Sequence, residues 1–256
     1  MRVVSVLTSL ALVFVQSPSP NTTPSVPRDT QALIVLQQSI QKMGTPKDVS
    51  ATGSVVTTEG STTRNGNVRI LIRGQSQTSE QFQYGSESLK ISFSGGRAFS
   101  KTSATTRTLN GPDTLASQSA IFPAPVLATM IANLDVGIEN LGVENLDGSQ
   151  AYHFVLTDTF RSLPDSQSFS PLTRHEIWVD TASGLITQIS WRRYSGIGPA
   201  DYSVTFVARY TNYTSENGVC YPRHIEISVN GTPWTSIQIT SVALNTGLTD
   251  ADFQVD

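Results

Sequence analysis

Apolar and polar residues alternate along much of this chain, most densely in its final third. Leu172–Val179, Leu185–Tyr194, Tyr202–Tyr213, Val219–Val229 and Trp234–Leu244 each read as a long strand, and Leu89, Ile91 and Phe93 alternating with Lys90, Ser92 and Ser94 show the period of two of a strand with one wet face. Asp180–Gly184, Gly196–Pro199, Asn217-Gly218 and Asn230-Gly231 separate them, so the segment predicts an antiparallel meander. The same rhythm predicts strands over Val49–Thr57, Val68–Arg73, Gln81–Tyr84, Leu89–Phe93 and Ala98–Lys101, with turns at Asn65-Gly66 and Gly95-Gly96. Ala104–Ser119 is weakly patterned and reads as a strand end followed by a loop. Val136–Leu146 and Gln150–Asp158 form a further pair around Asp147-Gly148, and Ser162–Pro171 reads as an exposed loop.

Two stretches change period. Leu33, Leu36, Ile40 and Met43 recur at helical spacing, after Asp29 as an N-cap and before Gly44 and Pro46, and predict a helix over Gln31–Met43. Phe122–Leu134 opens with Pro123 and Pro125 and then sets out Val126, Leu127, Met130, Ile131 and Leu134, a short apolar helix with prolines at its start. The fold class expected is α+β: one strongly curved antiparallel sheet of about ten or eleven strands, an incomplete β-barrel, with helices covering its concave face.

The ends add organisation. Arg2 followed by the apolar run Val3–Val15 reads as a secretion signal over residues 1–17, too short to span a bilayer by the usual length rule. Residues 18–28, rich in Pro and Ser, read as an extended leader, and 29–256 as one domain. The expected location is periplasmic or secreted, not transmembrane. Cys220 stands alone, which excludes a disulfide framework, and no cysteine follows the apolar run to accept a lipid. A net charge of −3 gives no reason to expect nucleic acid as a partner.

Candidate chemistry is sparse. His153, His175 and His224 all fall in strand patterns, and none lies in a His-Glu-x-x-His helix. Each reads more simply as a cross-strand polar partner than as a metal ligand or general base. There is no Gly-x-Ser-x-Gly elbow and no phosphate loop. Trp191-Arg192-Arg193 reads either as an anion clamp or as a solvated strand end. Trp178, Trp191, Phe206 and Trp234 read as core and cross-strand pairs. The apolar residues remain. A hollow in a curled sheet under a helix can shelter an acyl chain with no polar chemistry, since each buried methylene is worth about 0.8 kcal/mol.

Three pieces carry a resemblance. The first is the leading apolar run with the helix Gln31–Met43, and the second is Val68–Gly74 with its cationic strand end. The third is Glu176–Asp180 with Gly184 and Leu185, together with the closing Asn245–Phe253. The chain resembles the periplasmic lipoprotein-carrier superfamily typified by LolA and LolB, in particular its carrier-like secreted branch. Where that family has Arg-Pro after the second strand, this chain has Arg73-Gly74. The resemblance implies an open barrel and a non-enzymatic periplasmic carrier of an acyl chain, a lipoprotein or a similar amphiphile, without a cofactor and with a link to outer membrane biogenesis. It also leaves open an envelope sensor or scaffold of the same fold that binds a protein. The implied cavity or lid residues are Val126, Leu127, Met130, Ile131 and Leu134 on the helix and Ile70, Ile72, Phe82, Ile91 and Phe93 on the strands. Arg73 is the implied equivalent of the family's arginine.

Overall fold

A computed structural model describes residues 26–74, 77–109, 121–194 and 203–254. The expected secretion signal, most of the leader, the end of Ala104–Ser119 and the Gly196–Pro199 turn lie outside these residues.

The strands, in chain order, are β1 (Asp48–Glu59), β2 (Thr62–Arg73), β3 (Gln77–Tyr84), β4 (Glu87–Ser94), β5 (Arg97–Thr102), β6 (Thr106–Leu109) and β7 (Val136–Leu146). They continue as β8 (Ser149–Asp158), β9 (His175–Asp180), β10 (Ile186–Tyr194), β11 (Ser203–Glu216), β12 (Val219–Val229) and β13 (Thr232–Leu244). The helices are α1 (Thr30–Met43) and α2 (Pro123–Ala132), with 3-10 turns over Pro164–Thr173 and Asp250–Phe253. All thirteen strands join one sheet, in the order β6-β5-β4-β3-β2-β1-β13-β12-β11-β10-β9-β8-β7. Every pairing is antiparallel and links neighbours in sequence, except that β1 also pairs with β13. The two end strands, β6 and β7, are themselves consecutive, and a parallel bridge from Arg28 to Ile138 covers part of the β7 edge. The sheet is thus a barrel left open at one seam, and the chain passes from one side of the seam to the other through α2.

Alternation sets the faces. On β1, Val49, Ala51, Val55 and Thr57 are buried while Thr52, Ser54 and Val56 are exposed. Register carries the buried set across to Ile70, Ile237 and Ile239 and on to Ile225. The helices fill much of this concave face. Ala32, Leu36, Ile40 and Met43 form the buried stripe of α1, which packs on α2, β7 and β12. Asp29 caps α1 by accepting from the Ala32 N–H at 2.7 Å, and Gly44 ends it at φ 80°. Helix α2 begins at Pro123, whose missing N–H costs nothing at a helix start, and buries Ala124, Val126, Leu127, Ala128 and Met130.

The turns at Asp147-Gly148, Asn217-Gly218 and Asn230-Gly231 hold both residues at positive φ, the two-residue geometry that matches strand twist. Four sequence expectations need correction. Asn65-Gly66 is not a turn but lies inside β2, and the reversal falls at Gly60. A Cβ at Gly66 would sit 2.3 Å from the Gln83 carbonyl oxygen, so glycine is required there for close strand approach. Ser162–Pro171 is largely 3-10 structure rather than open loop, and β9 begins at His175 rather than Leu172. The sheet has thirteen strands against the expected ten or eleven, and the polar stretch Thr106–Leu109, pairing with β5, is one of the additions.

The outer face is mostly polar, with buried residues in two places: His153, Val155, Trp178 and Gln188 on β8–β10, and a patch on β2–β4. Leu71, Ser79 and Ser92 share that face by register and are buried. The 3-10 turn Asp250–Phe253 lies against β3 and β4, and Phe253 is itself buried. Residues Asn245–Gln254 therefore form a strap across the back of the sheet.

Candidate functional site

A hollow of about 130 Å³ opens on the concave face. Its walls are Phe82 and Tyr84 from β3, Leu89 and Ile91 from β4, Trp191 from β10, Phe206 from β11 and Trp234 from β13. Ile121, just before α2, lies at its helix side. The aromatic wall is ordered by stacking. Trp191 lies 5.5 Å from Phe206 at 16°, and Trp234 meets Phe206 edge-on at 5.8 Å. Arg193 lies over the Phe206 ring, 5.1 Å from its centroid.

Polar groups stand on the lining. Arg64 reaches Glu59 at 3.1 Å and Glu87 at 3.0 Å, and its guanidinium lies 4.8 Å over the Tyr84 ring. The Tyr84 hydroxyl is 2.7 Å from the Thr57 hydroxyl, which is 3.3 Å from that of Thr235. Tyr210, deeper in the bowl on β11, is fully buried, and burial pushes its phenol well above the usual value.

A second, smaller hollow of about 90 Å³ lies between α2 and the segment after β8. Thr129, Met130, Asn133, Val136, Leu172, His175 and Trp191 border it. Burial holds the His175 imidazole below its usual pKa and therefore neutral, opposed only by its bond to the Thr173 carbonyl. That carbonyl can only accept, so the 2.7 Å bond assigns the proton to Nδ1. At the end of α2, Arg28 donates to the Ile131 carbonyl at 2.6 Å, a cation at a helix C-terminus.

The expected site residues separate into five groups. Phe82 and Ile91 line the main hollow, and Phe93 is half-buried on the same face one register step away. Met130 borders the second hollow. Ile70, Ile72, Val126 and Leu127 are packed into the core, with Ile131 half-buried against it. Leu134 is 77 % exposed, beyond the end of α2. Arg73 is on the opposite side of the sheet, where it binds the Asp250 carboxylate and the Leu248 carbonyl. The sequence reading passed over Leu89, Trp191, Phe206 and Trp234 as site residues. Their alternation with polar neighbours was visible, but not that their shared face is left partly uncovered.

The histidines are dispersed. His153 is on the outer face, stacked on Trp178 at 4.2 Å and within 3.5 Å of Glu144 and 3.3 Å of Glu176. His224 lies 3.1 Å from the Ser236 hydroxyl, also on the outer face. Among the described residues no group of three His, Cys, Asp or Glu side chains could hold a metal ion, and no helix is long and apolar enough to cross a membrane.

No family model matches the chain, and no curated protein does. Solved structures do. A domain assigned to outer membrane lipoprotein sorting from Vibrio parahaemolyticus aligns with a TM-score of 0.59 at 12 % identity, over 87 % of this chain and 96 % of that one. The LolA superfamily protein NE2245 from Nitrosomonas europaea gives 0.57 at 16 %, over 88 % and 97 %. A DUF1329 family protein from Desulfovibrio piger gives 0.59 at 13 %, over 88 % and 96 %. At such low identity the likeness speaks to architecture: the chain has the LolA-like fold, an antiparallel barrel open along one seam and filled from within by helices.

Proposed function

We propose that the protein is a non-enzymatic binder that shelters the apolar chain of an amphiphile, an acyl chain free or carried on a lipoprotein, in an extracytoplasmic compartment. One observation carries the reading. Where α1 and α2 leave the concave face uncovered, the wall is mainly apolar, unlike ordinary exposed sheet: Phe82, Leu89, Ile91, Phe206 and Trp234 build it, with Glu80 and Thr235 among them. A lipoprotein-sorting assignment for a structure of the same fold supports the same reading.

The size of the hollow shapes the claim. Small-molecule sites span roughly 300–1,000 Å³, so about 130 Å³ accepts one end of a chain rather than a whole lipid. Charged side chains along the lining, Glu59 and Arg64 among them, suit a polar head left in water. The test is native mass spectrometry of the purified protein, followed by titration of the delipidated protein with a fluorescent acyl probe. Saturable binding that Ile91→Glu abolishes without unfolding the protein is the expected result. No bound amphiphile and no saturable uptake of the probe would overturn the proposal.

A further inference from the structure

Trp191 borders both hollows. Its indole is only 8 % exposed and is held against Phe206. Ile121 borders the first hollow and Met130 the second, so the two are set along α2, one at its start and one near its end. Trp191 is the one residue common to the walls of both.

We infer that Trp191 is a specificity-determining partition that limits the length of the apolar chain the protein accepts. The inference rests on the acyl-binding reading and adds to it a second subsite and a rule for chain length. A chain entering beside Phe206 fills the first hollow and is stopped at the indole. Beyond it lies the second hollow, whose apolar border of Met130, Val136 and Leu172 stands beside Asn133, Asp158 and Arg192, and which the chain cannot reach. With the indole removed, the two hollows and the space it occupied form one trough beneath α2. Length selection then follows from transfer energetics. Each methylene that enters apolar space tightens binding about fourfold, and each that stays in water adds nothing.

The experiment measures affinity for octanoyl, dodecanoyl and hexadecanoyl lysophospholipids by competition with the acyl probe, in wild-type protein, Trp191→Ala and Trp191→Phe. Wild type is expected to gain with length and then level off. Trp191→Ala moves the plateau to longer chains, with at least tenfold gain from dodecanoyl to hexadecanoyl where wild type shows none. Trp191→Phe gives an intermediate shift and keeps a ring against Phe206 should the alanine variant fail to fold. If both variants change all three affinities by one common factor, or leave the wild-type plateau in place, the partition is wrong while acyl binding stands. If wild type binds none of the three, both fall together.

Discussion

Arg73 lays its guanidinium over the ring of Phe253, 5.6 Å from the ring centroid. The same side chain holds the Asp250 carboxylate and the Leu248 carbonyl, so one arginine fastens the final segment to the outer face of β2. This gives Arg73 a structural position remote from the concave hollow. Removing the anchor ring should matter more than removing the cation. Phe253 is 1 % exposed, and Phe253→Ala is expected to cost about 3 kcal/mol, a fall of roughly 6–12 °C in Tm. Arg73→Ala leaves a half-exposed stack and should lower Tm far less. Differential scanning calorimetry of the two variants decides it, and a larger loss for Arg73→Ala would refute the ranking.

The strap should also respond to acid. Asp48 is buried, which pushes its carboxyl up, but bonds from the Thr246 hydroxyl and the Thr246 and Gly247 N–H groups together hold it below the usual 3.8. A folded-state pKa below the unfolded value means stability that is present above the usual carboxylate range and lost as pH falls through the folded pKa. Hydrogen exchange at residues 246–253 is therefore expected to rise on acidification below about pH 4. In Asp48→Asn that exchange should already be raised at neutral pH and change less with acid.

A different limb of the pH profile belongs to His175. Burial holds its imidazole below the usual 6.5. The unfolded chain then binds the proton more readily, so stability is full above the unfolded pKa and declines as pH falls from about 7 toward 5. Urea unfolding across that window should show the decline in wild type and a flatter profile in His175→Gln. An unchanged slope would show that other groups govern it.

Gly53 tests the pairing of the first strand with the last. A Cβ there would sit 2.3 Å from the Gln238 carbonyl oxygen, at the register shift between Thr52 and Gly53. Gly53→Ala is expected to cost about 1–3 kcal/mol through overpacking against backbone that cannot yield. Ser54→Ala, one residue on and exposed, should be near neutral in the same denaturant series.

Much of the architecture was legible because it is local. Alternation in Val219–Val229 and Thr232–Leu244, with Asn230-Gly231 between, specifies a hairpin from neighbours alone. Asp29, Gly44 and the stripe Leu36–Ile40–Met43 specify α1 in the same way. Asn65-Gly66 misled because a glycine needed for close strand approach has the same signature as a glycine needed for a turn. Thr106–Leu109 was legible only as a strand end, because a short polar edge strand has no apolar face to announce it. The hollow was only half legible. Ile70 and Phe82 sit on one face of neighbouring strands, and nothing in their local pattern tells that helices cover the first and leave the second partly open.

From residue order alone came the strands, the two helices, the antiparallel class and the apolar character of the concave face, since each depends on periodicity and turn chemistry within a short window. Only the folded chain decided that β1 closes on β13, that the gap falls between β6 and β7, and that Phe253 lies against the back of the sheet. These are contacts between residues far apart in sequence. Their partners are chosen by which surfaces remain uncovered once the local elements have formed, and a one-dimensional pattern cannot state what is left uncovered.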